Sequence, residues 1–397
     1  MTHRLASLAF GAACAMFAWS SVADERKAEP AFTESEIRTI LSHGPWPMPA
    51  TPDRSNRVSG KAEAIELGTR LFFDQRLSGV GDTSCASCHV PERNWTDNER
   101  RAIGRVVLDR NTPPLVNLRG SLWYGWDGGA DSLWSQSLRP MLDQRELGAT
   151  PRHVADLVRN DEQLACRYRR TFGAAPPADD EAIFVNVGKA LAAFEETLVS
   201  GRTPFDSFRE MLARGQQPRP GTYSDAAQRG LKIFVGKGGC TSCHSGPNFT
   251  GGEFFATGLS HHTLKGKADP GRFEGVRKVL ASRFNLLGPY SDDATRETAA
   301  HTRQLVVDKR AAGEFKVPSL RNLVLTGPYG RDGSVDTLAD VVRHYSEIDP
   351  LRLRARDGTR GEPLRLSAAE QRDLVVFLES LSTFTNGWRP DEGGRCN

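Results

Sequence analysis

Two thiols separated by two residues and followed directly by an imidazole occur twice, as Cys85-Ala-Ser-Cys88-His89 and Cys240-Thr-Ser-Cys243-His244. Paired thiols at this spacing can add to the two vinyl groups of one porphyrin, and the adjoining histidine is placed to ligate its iron. Each copy therefore reads as a covalent attachment site for a c-type haem, with a thioredoxin-like pair and half of a zinc site as the bland alternatives. With 7 Cys and 9 His in 397 residues, composition alone yields roughly 0.003 such pentapeptides per chain. Two covalent porphyrins constrain the fold more than any other feature, because much of the core must form around them.

The start of the chain agrees with haem attachment outside the cytoplasm. Arg4, the apolar run from Leu5 to Trp19 and the exit Ser21-Val-Ala23 predict a signal peptide over 1–23, cleaved after Ala23, and hence a periplasmic protein. No later segment approaches the ~20 apolar residues of a membrane span. The net charge is +3 with both signs interspersed, so nothing suggests nucleic acid. Of the seven cysteines, Cys14 leaves with the signal and four hold haem. Cys166 and Cys396 either pair in an oxidising compartment or stay as two free thiols.

The periodicity is that of a mainly α protein. Ala62 to Phe73 carries apolar residues at helical spacing, as do Ile183, Phe184, Val187, Leu191, Phe194 and Leu198, and Thr33-Glu36 and Ser367-Glu370 are capping boxes. Gly68-x-x-x-Phe72 before the first haem motif has a counterpart in Gly230-x-x-x-Phe234 before the second, which predicts a duplicated module. A polar, turn-rich stretch over 213–223 marks the boundary. The expected architecture is two cytochrome c-like haem domains, 24–215 and 216–397, packed against each other with long loops.

The second iron cannot take the common methionine ligand, because the methionines stand at 1, 16, 48, 141 and 211, all before His244. Tyr290, Tyr329, Tyr345, His261, His262, His301 and His344 remain. On a helix over 337–348, Tyr345 lies at the centre of the buried stripe and His344 at its edge. Helix geometry alone is equally satisfied by an ordinary core tyrosine.

From about Ala64 to beyond Tyr345 the chain resembles the bacterial di-haem cytochrome c peroxidase family. The resemblance is carried by Leu67-Gly-Thr-Arg-Leu-Phe-Phe-Asp-Gln-Arg-Leu-Ser78, both haem motifs, Arg110-Asn-Thr-Pro113, Tyr124-Gly-Trp-Asp-Gly128 and Pro318-Ser-Leu-Arg-Asn-Leu-Val-Leu-Thr-Gly-Pro-Tyr329. It implies that the first haem reacts with peroxide and the second stores and delivers an electron. By the same resemblance Trp126 is the relay between the haems, Gln136 the distal glutamine and Glu146 the distal carboxylate. Such a carboxylate can move a proton from one peroxide oxygen to the other. Asn111, Thr326 and Pro328 match the holders of a calcium ion, a role suited to hard oxygens.

Departures from the common pattern point to the MauG-like branch. Ile103 stands where many members keep a distal histidine, and His153, the only histidine between His89 and Cys240, falls beyond the distal acid on a helix surface. Tyr345 occupies the position of the methionine ligand, and Arg331 replaces a histidine. The expected activity is reduction of hydrogen peroxide, with electrons from a small periplasmic redox protein such as a cytochrome c or a cupredoxin. Oxidation of aromatic residues on a protein substrate and plain electron carriage are the alternatives.

Overall fold

The computed structural model describes residues 32–216, 221–259, 262–349, 362–383 and 394–396; the signal segment 1–23 and His261 lie outside them. In chain order the helices are α1 (Glu34–Ser42), α2 (Ala62–Phe73), α3 (Cys85–Cys88), α4 (Leu133–Leu142), α5 (Pro151–Asn160), α6 (Glu162–Phe172) and α7 (Asp180–Glu195). They continue with α8 (Pro204–Ala213), α9 (Asp225–Val235), α10 (Arg272–Ala281), α11 (Ala300–Arg303), α12 (Leu338–Glu347) and α13 (Ala368–Glu379). Among the described residues the only sheet is a two-residue antiparallel pair, β1 (Phe254–Phe255) with β2 (Phe315–Lys316). Both capping boxes are present, at Thr33 with Glu36 and at Ser367 with Glu370.

The duplication is visible in how two helix pairs cross. A Cβ placed on Gly68 of α2 would stand 2.0 Å from the Ala190 carbonyl oxygen of α7, and one on Gly230 of α9 would stand 2.0 Å from the Asp373 carbonyl oxygen of α13. Only glycine allows backbones this close. The same turn then brings Phe72 within 5.1 Å of Phe194 and Phe234 within 4.9 Å of Phe377, centroid to centroid. These four rings are fully buried, each contributing about 1.5–3 kcal/mol of apolar transfer. Around them form two hydrophobic cores, one built on α2, α4, α5 and α7, the other on α9, α12 and α13. Helices α1 and α8 belong to the second core through Ile40, Phe205 and Phe208, although they precede residue 216.

A second repeat follows each haem motif. Tyr124-Gly-Trp-Asp-Gly128 closes a turn with a bridge from Tyr124 to Ala130, and Tyr329-Gly-Arg-Asp-Gly333 closes one from Tyr329 to Val335. Each turn leads into a capped helix, α4 from Ser132 and α12 from Thr337. In this register Trp126 is the counterpart of Arg331, and Pro140 is the counterpart of Tyr345.

Cys166 and Cys396 form a disulfide, which settles the alternative that the sequence left open. The tail is also held by Gln163, which bonds to both polar backbone atoms of Cys396, and by Arg167 donating to the Gly394 carbonyl. The end of the chain is thereby fastened to α6, in the first core.

Candidate haem sites

Each attachment motif sits on a short helical turn that presents its thiols to the interior: α3 for Cys85 and Cys88, and a 3-10 turn (Cys240–Ser242) for the second. Burial raises all four thiols above their ordinary value. His89 Nδ1 donates to the Trp95 carbonyl at 2.9 Å, and His244 Nδ1 donates to the Phe249 carbonyl at 3.0 Å. Both acceptor residues take a left-handed conformation, with φ of 61° and 51°, which aims the carbonyl back at the imidazole. With Nδ1 committed, Nε2 is the nitrogen left to ligate an iron, and its basicity is raised by the carbonyl partner. The residues present therefore fit a porphyrin iron at each motif.

Beside the first motif, Cys88 Sγ lies 3.3 Å from the Ile103 carbonyl, and a cavity of about 680 Å³ runs past Ile103, Val107 and Pro328. Asn98, Glu99, Arg100, Arg101 and Asp336 complete the lining, so Ile103 and Val107 form an apolar patch within a largely polar rim. Ile103 offers no ligating atom, and neither does Pro140, the counterpart of Tyr345. His153 is directed elsewhere, bonding the Arg76 carbonyl.

Glu146 lies on this side, its backbone packed against Gly104. Gln136, on α4, lies against the Gly125-Trp126 turn, and its Oε1 accepts from Arg139 at 3.0 Å. Glu146 is half-buried at the end of a turn closed by its own N–H on Asp143 O, and its charge acts on both Cys85 and Cys88. Burial and the Asp143 carboxylate push its carboxyl above the ordinary range, while Arg139 and Arg145 pull it back. A carboxyl group raised in this way is suited to hold a proton and hand it back.

Trp126 stands where the two modules meet. Its Nε1 donates to the Asn111 carbonyl at 2.8 Å, its own carbonyl accepts from the Lys316 N–H at 2.9 Å, and the Asn111 N–H donates to the Arg331 carbonyl at 2.7 Å. One residue, Asn111, thus joins the equivalent turns of both halves. Beside it Asp127, fully buried, meets Arg110 and Lys278 at 2.9 Å each, which holds its carboxyl far below the usual range and pins the tryptophan turn. Asn111 Nδ2 donates to Glu99 O at 2.7 Å, which turns Oδ1 away as a free oxygen. Thr326 and Pro328 lie nearby on the loop that Asn98 grips through the Leu325 and Gly327 carbonyls.

In the second module Tyr345 is half-buried beside Cys240 and Cys243. Burial pushes its phenol up to about 12, aided by charges on the two cysteines that thioether formation would remove, while Thr257 opposes. Of the rival candidates, His344 Nε2 bonds the Thr257 carbonyl, Tyr329 donates to Leu323 O, and His301 is exposed on α11. Arg331 is buried between Asp269, at 3.1 Å, and the His262 and Asp109 carbonyls.

Sequence reading missed a pair of buried carboxyls where α7 ends. Glu195 is pushed up to about 8 and Glu196 to about 7, chiefly by burial, with Ser137 and Ser59 as their hydroxyl partners. It also missed Pro140 and His43. The Tyr-Gly-x-Asp-Gly repeat was the signal that would have found Pro140.

Two cytochrome c-like modules, each with its own attachment motif and joined at a tryptophan, define a di-haem c-type redox protein. The profile of the di-haem cytochrome c peroxidase family matches residues 62–214. Over 321 residues the chain is 36% identical to the methylamine utilization protein MauG of Methylorubrum extorquens, covering 80% of this chain and 78% of that one. It is 29% identical over 332 residues to the cytochrome c551 peroxidase of Nitrosomonas europaea, covering 83% and 82%. Among solved structures, a MauG-like protein associated with microbial copper homeostasis is similar at a TM-score of 0.63 and 25% identity, over 85% of this chain and 95% of that one. The chain belongs to the di-haem cytochrome c peroxidase family, oxidoreductases with two c-type haems.

Proposed function

We propose that this protein is a periplasmic peroxidase that reduces hydrogen peroxide at the first haem, held by Cys85, Cys88 and His89, and exchanges electrons through the second, held by Cys240, Cys243, His244 and Tyr345. When bound, the first haem supplies an iron that peroxide oxidises and the second an iron that stores oxidising equivalents. The observation that supports the reading is the asymmetry of counterparts: Tyr345 lies beside Cys240 and Cys243, whereas Pro140, its counterpart, and Ile103 carry no ligating side-chain atom. Glu146 holds and returns the peroxide proton, Gln136 orients the oxygen through its amide, and Trp126 relays charge between the modules. Asn111 Oδ1, with oxygens of Thr326 and Pro328, would hold a calcium ion that stiffens the junction. A small periplasmic cytochrome c or cupredoxin serves as electron donor. Among the described residues no helix is long and apolar enough to cross a membrane.

The test is stopped-flow mixing of the ferric protein with hydrogen peroxide. A rapid change in the first haem's spectrum is expected, slowed about 10²-fold or more in Glu146→Gln. An inert first haem, or an unchanged rate in the variant, overturns the proposal. A second reading, oxidation of aromatic residues on a partner protein, is favoured by Tyr345, because a phenolate stabilises ferric and more oxidised iron. Its test is a peroxide-dependent mass change in a candidate protein encoded beside this one.

A further inference from the structure

The proximal loops of the two modules are built alike but covered differently. In the first, Trp95, whose carbonyl accepts from His89, is flanked by hydrocarbon rings: Phe72 at 5.6 Å and Phe194 at 5.7 Å. In the second, Phe249, whose carbonyl accepts from His244, has the counterpart rings Phe234 at 5.9 Å and Phe377 at 6.4 Å and in addition carries an imidazole flat on its face. His43, at the end of α1, stacks on it at 4.4 Å with an interplanar angle of 6°. His43 has no exposed surface, and its Nδ1 donates to the Gly246 carbonyl at 3.0 Å. The loop from 245 to 249 is therefore gripped twice, at Gly246 O by His43 and at Pro247 O by Arg321 Nε at 2.7 Å. Arg321 is itself fixed by two 2.9 Å bonds to buried Asp206.

The remaining nitrogen of His43 has no partner. Nε2 is buried and unbonded, in a nest formed by Phe205, Phe234 and Phe249. An unpaired nitrogen in such a place is costly, and a phenylalanine would fill the nest without that cost. The imidazole is thus explained by its other nitrogen, the one that holds Gly246.

We propose that His43 is a positioning residue for the second iron: by clamping the loop between Gly246 and Phe249 it keeps the Phe249 carbonyl on the Nδ1 proton of His244. A firm acceptor there makes the ligating imidazole more basic, which favours the ferric state and lowers the second haem's potential. This inference rests on the proposed ligation of the second haem by His244.

The experiment compares the holoprotein with His43→Phe, which keeps a flat ring but drops the bond to Gly246, and with His43→Gln, which keeps a donor but drops the ring. Spectroelectrochemical titration reads both midpoint potentials, and electron paramagnetic resonance reads the low-spin g-values of the second haem. The expected result is an upward shift of the second potential and altered g-values in His43→Phe, with the first haem's potential and high-spin signal unchanged. His43→Gln should shift in the same direction but less, and it carries the test alone if the phenylalanine variant yields no holoprotein. Second-haem potentials and g-values equal to those of the parent in either folded variant overturn the proposal, as does an equal shift of both haems. Failure of the underlying ligation is read separately: His244→Gly in the parent would then leave the low-spin signal intact whatever stands at position 43.

Discussion

The two modules share a scaffold and differ in the turn and helix that follow each haem motif and in what covers the proximal loop. Helix crossing at Gly68 and Gly230, the aromatic pair behind it and the carbonyl that orients the proximal histidine recur almost atom for atom. Yet Pro140 replaces Tyr345, Trp126 replaces Arg331, and the imidazole of His43 stacks on the second proximal loop in addition to the phenyl rings that flank both. Duplication thus preserved what folds a haem module and varied what a haem module does. Two of these differences lie in the turn and helix after each motif, segments that do not carry the helix crossing.

Exchanging the distal counterparts should break the comparison most completely. Tyr345→Phe is expected to turn the second iron from low-spin to high-spin, and Pro140→Tyr to supply the first iron with a phenolate and abolish its high-spin signal. Resting-state electron paramagnetic resonance reads both. A smaller but still large effect is expected from the disulfide, which closes a loop of 230 residues and so stabilises by up to about 5 kcal/mol on chain entropy. Replacing Cys166 and Cys396 by serine should lower the denaturant midpoint, first in the module that α6 covers.

The pH dependence of stability should also separate the modules. Glu195 aligns, through the Ala190–Asp373 crossing, with Leu378, so only the first module carries a buried acid there. Its carboxyl, raised from 4.5 to about 8, keeps a proton in the folded state that the unfolded chain releases. Stability from this group is therefore fully present below about pH 4.5 and is lost as pH rises towards 8. Glu195→Gln should flatten that slope, leaving the shorter decline due to Glu196, in denaturation curves taken at successive pH values. The smallest effect is at the crossings themselves, where Gly68→Ala and Gly230→Ala should each cost about 1–3 kcal/mol by forcing backbones apart. Equal losses in the two variants would show that the crossings remain equivalent; unequal losses would show which module has more slack.

Much of this architecture was legible in the chain because its signals are local. The helix over 62–73 was read with both bounds correct, and both capping boxes followed from short-range hydrogen bonding. The helix at 180–195 ends before Leu198, where Thr197 and Leu198 turn onto the Phe194 and Glu195 carbonyls. The attachment residues Cys85, Cys88, His89, Cys240, Cys243 and His244 are legible because haem attachment requires them to be contiguous. Glu146, Gln136 and Trp126 are not contiguous with anything, and only resemblance to a family singled them out. Glu195 and His43 had no signal: a carboxylate inside an apolar helix and a histidine before Gly-Pro read as ordinary until burial is known.

By itself the sequence determined the cofactor chemistry, the mainly helical class and the duplication, since these depend on covalent spacing and on periods of three to four residues. Tertiary structure alone decided which groups share a site. It paired Cys166 with Cys396 across 230 residues, placed α1 on the opposite module from the helices that follow it, and set Asn111 between Trp126 and Arg331. The physical reason is that burial and contact between distant segments depend on how whole helices pack, which no local spacing encodes.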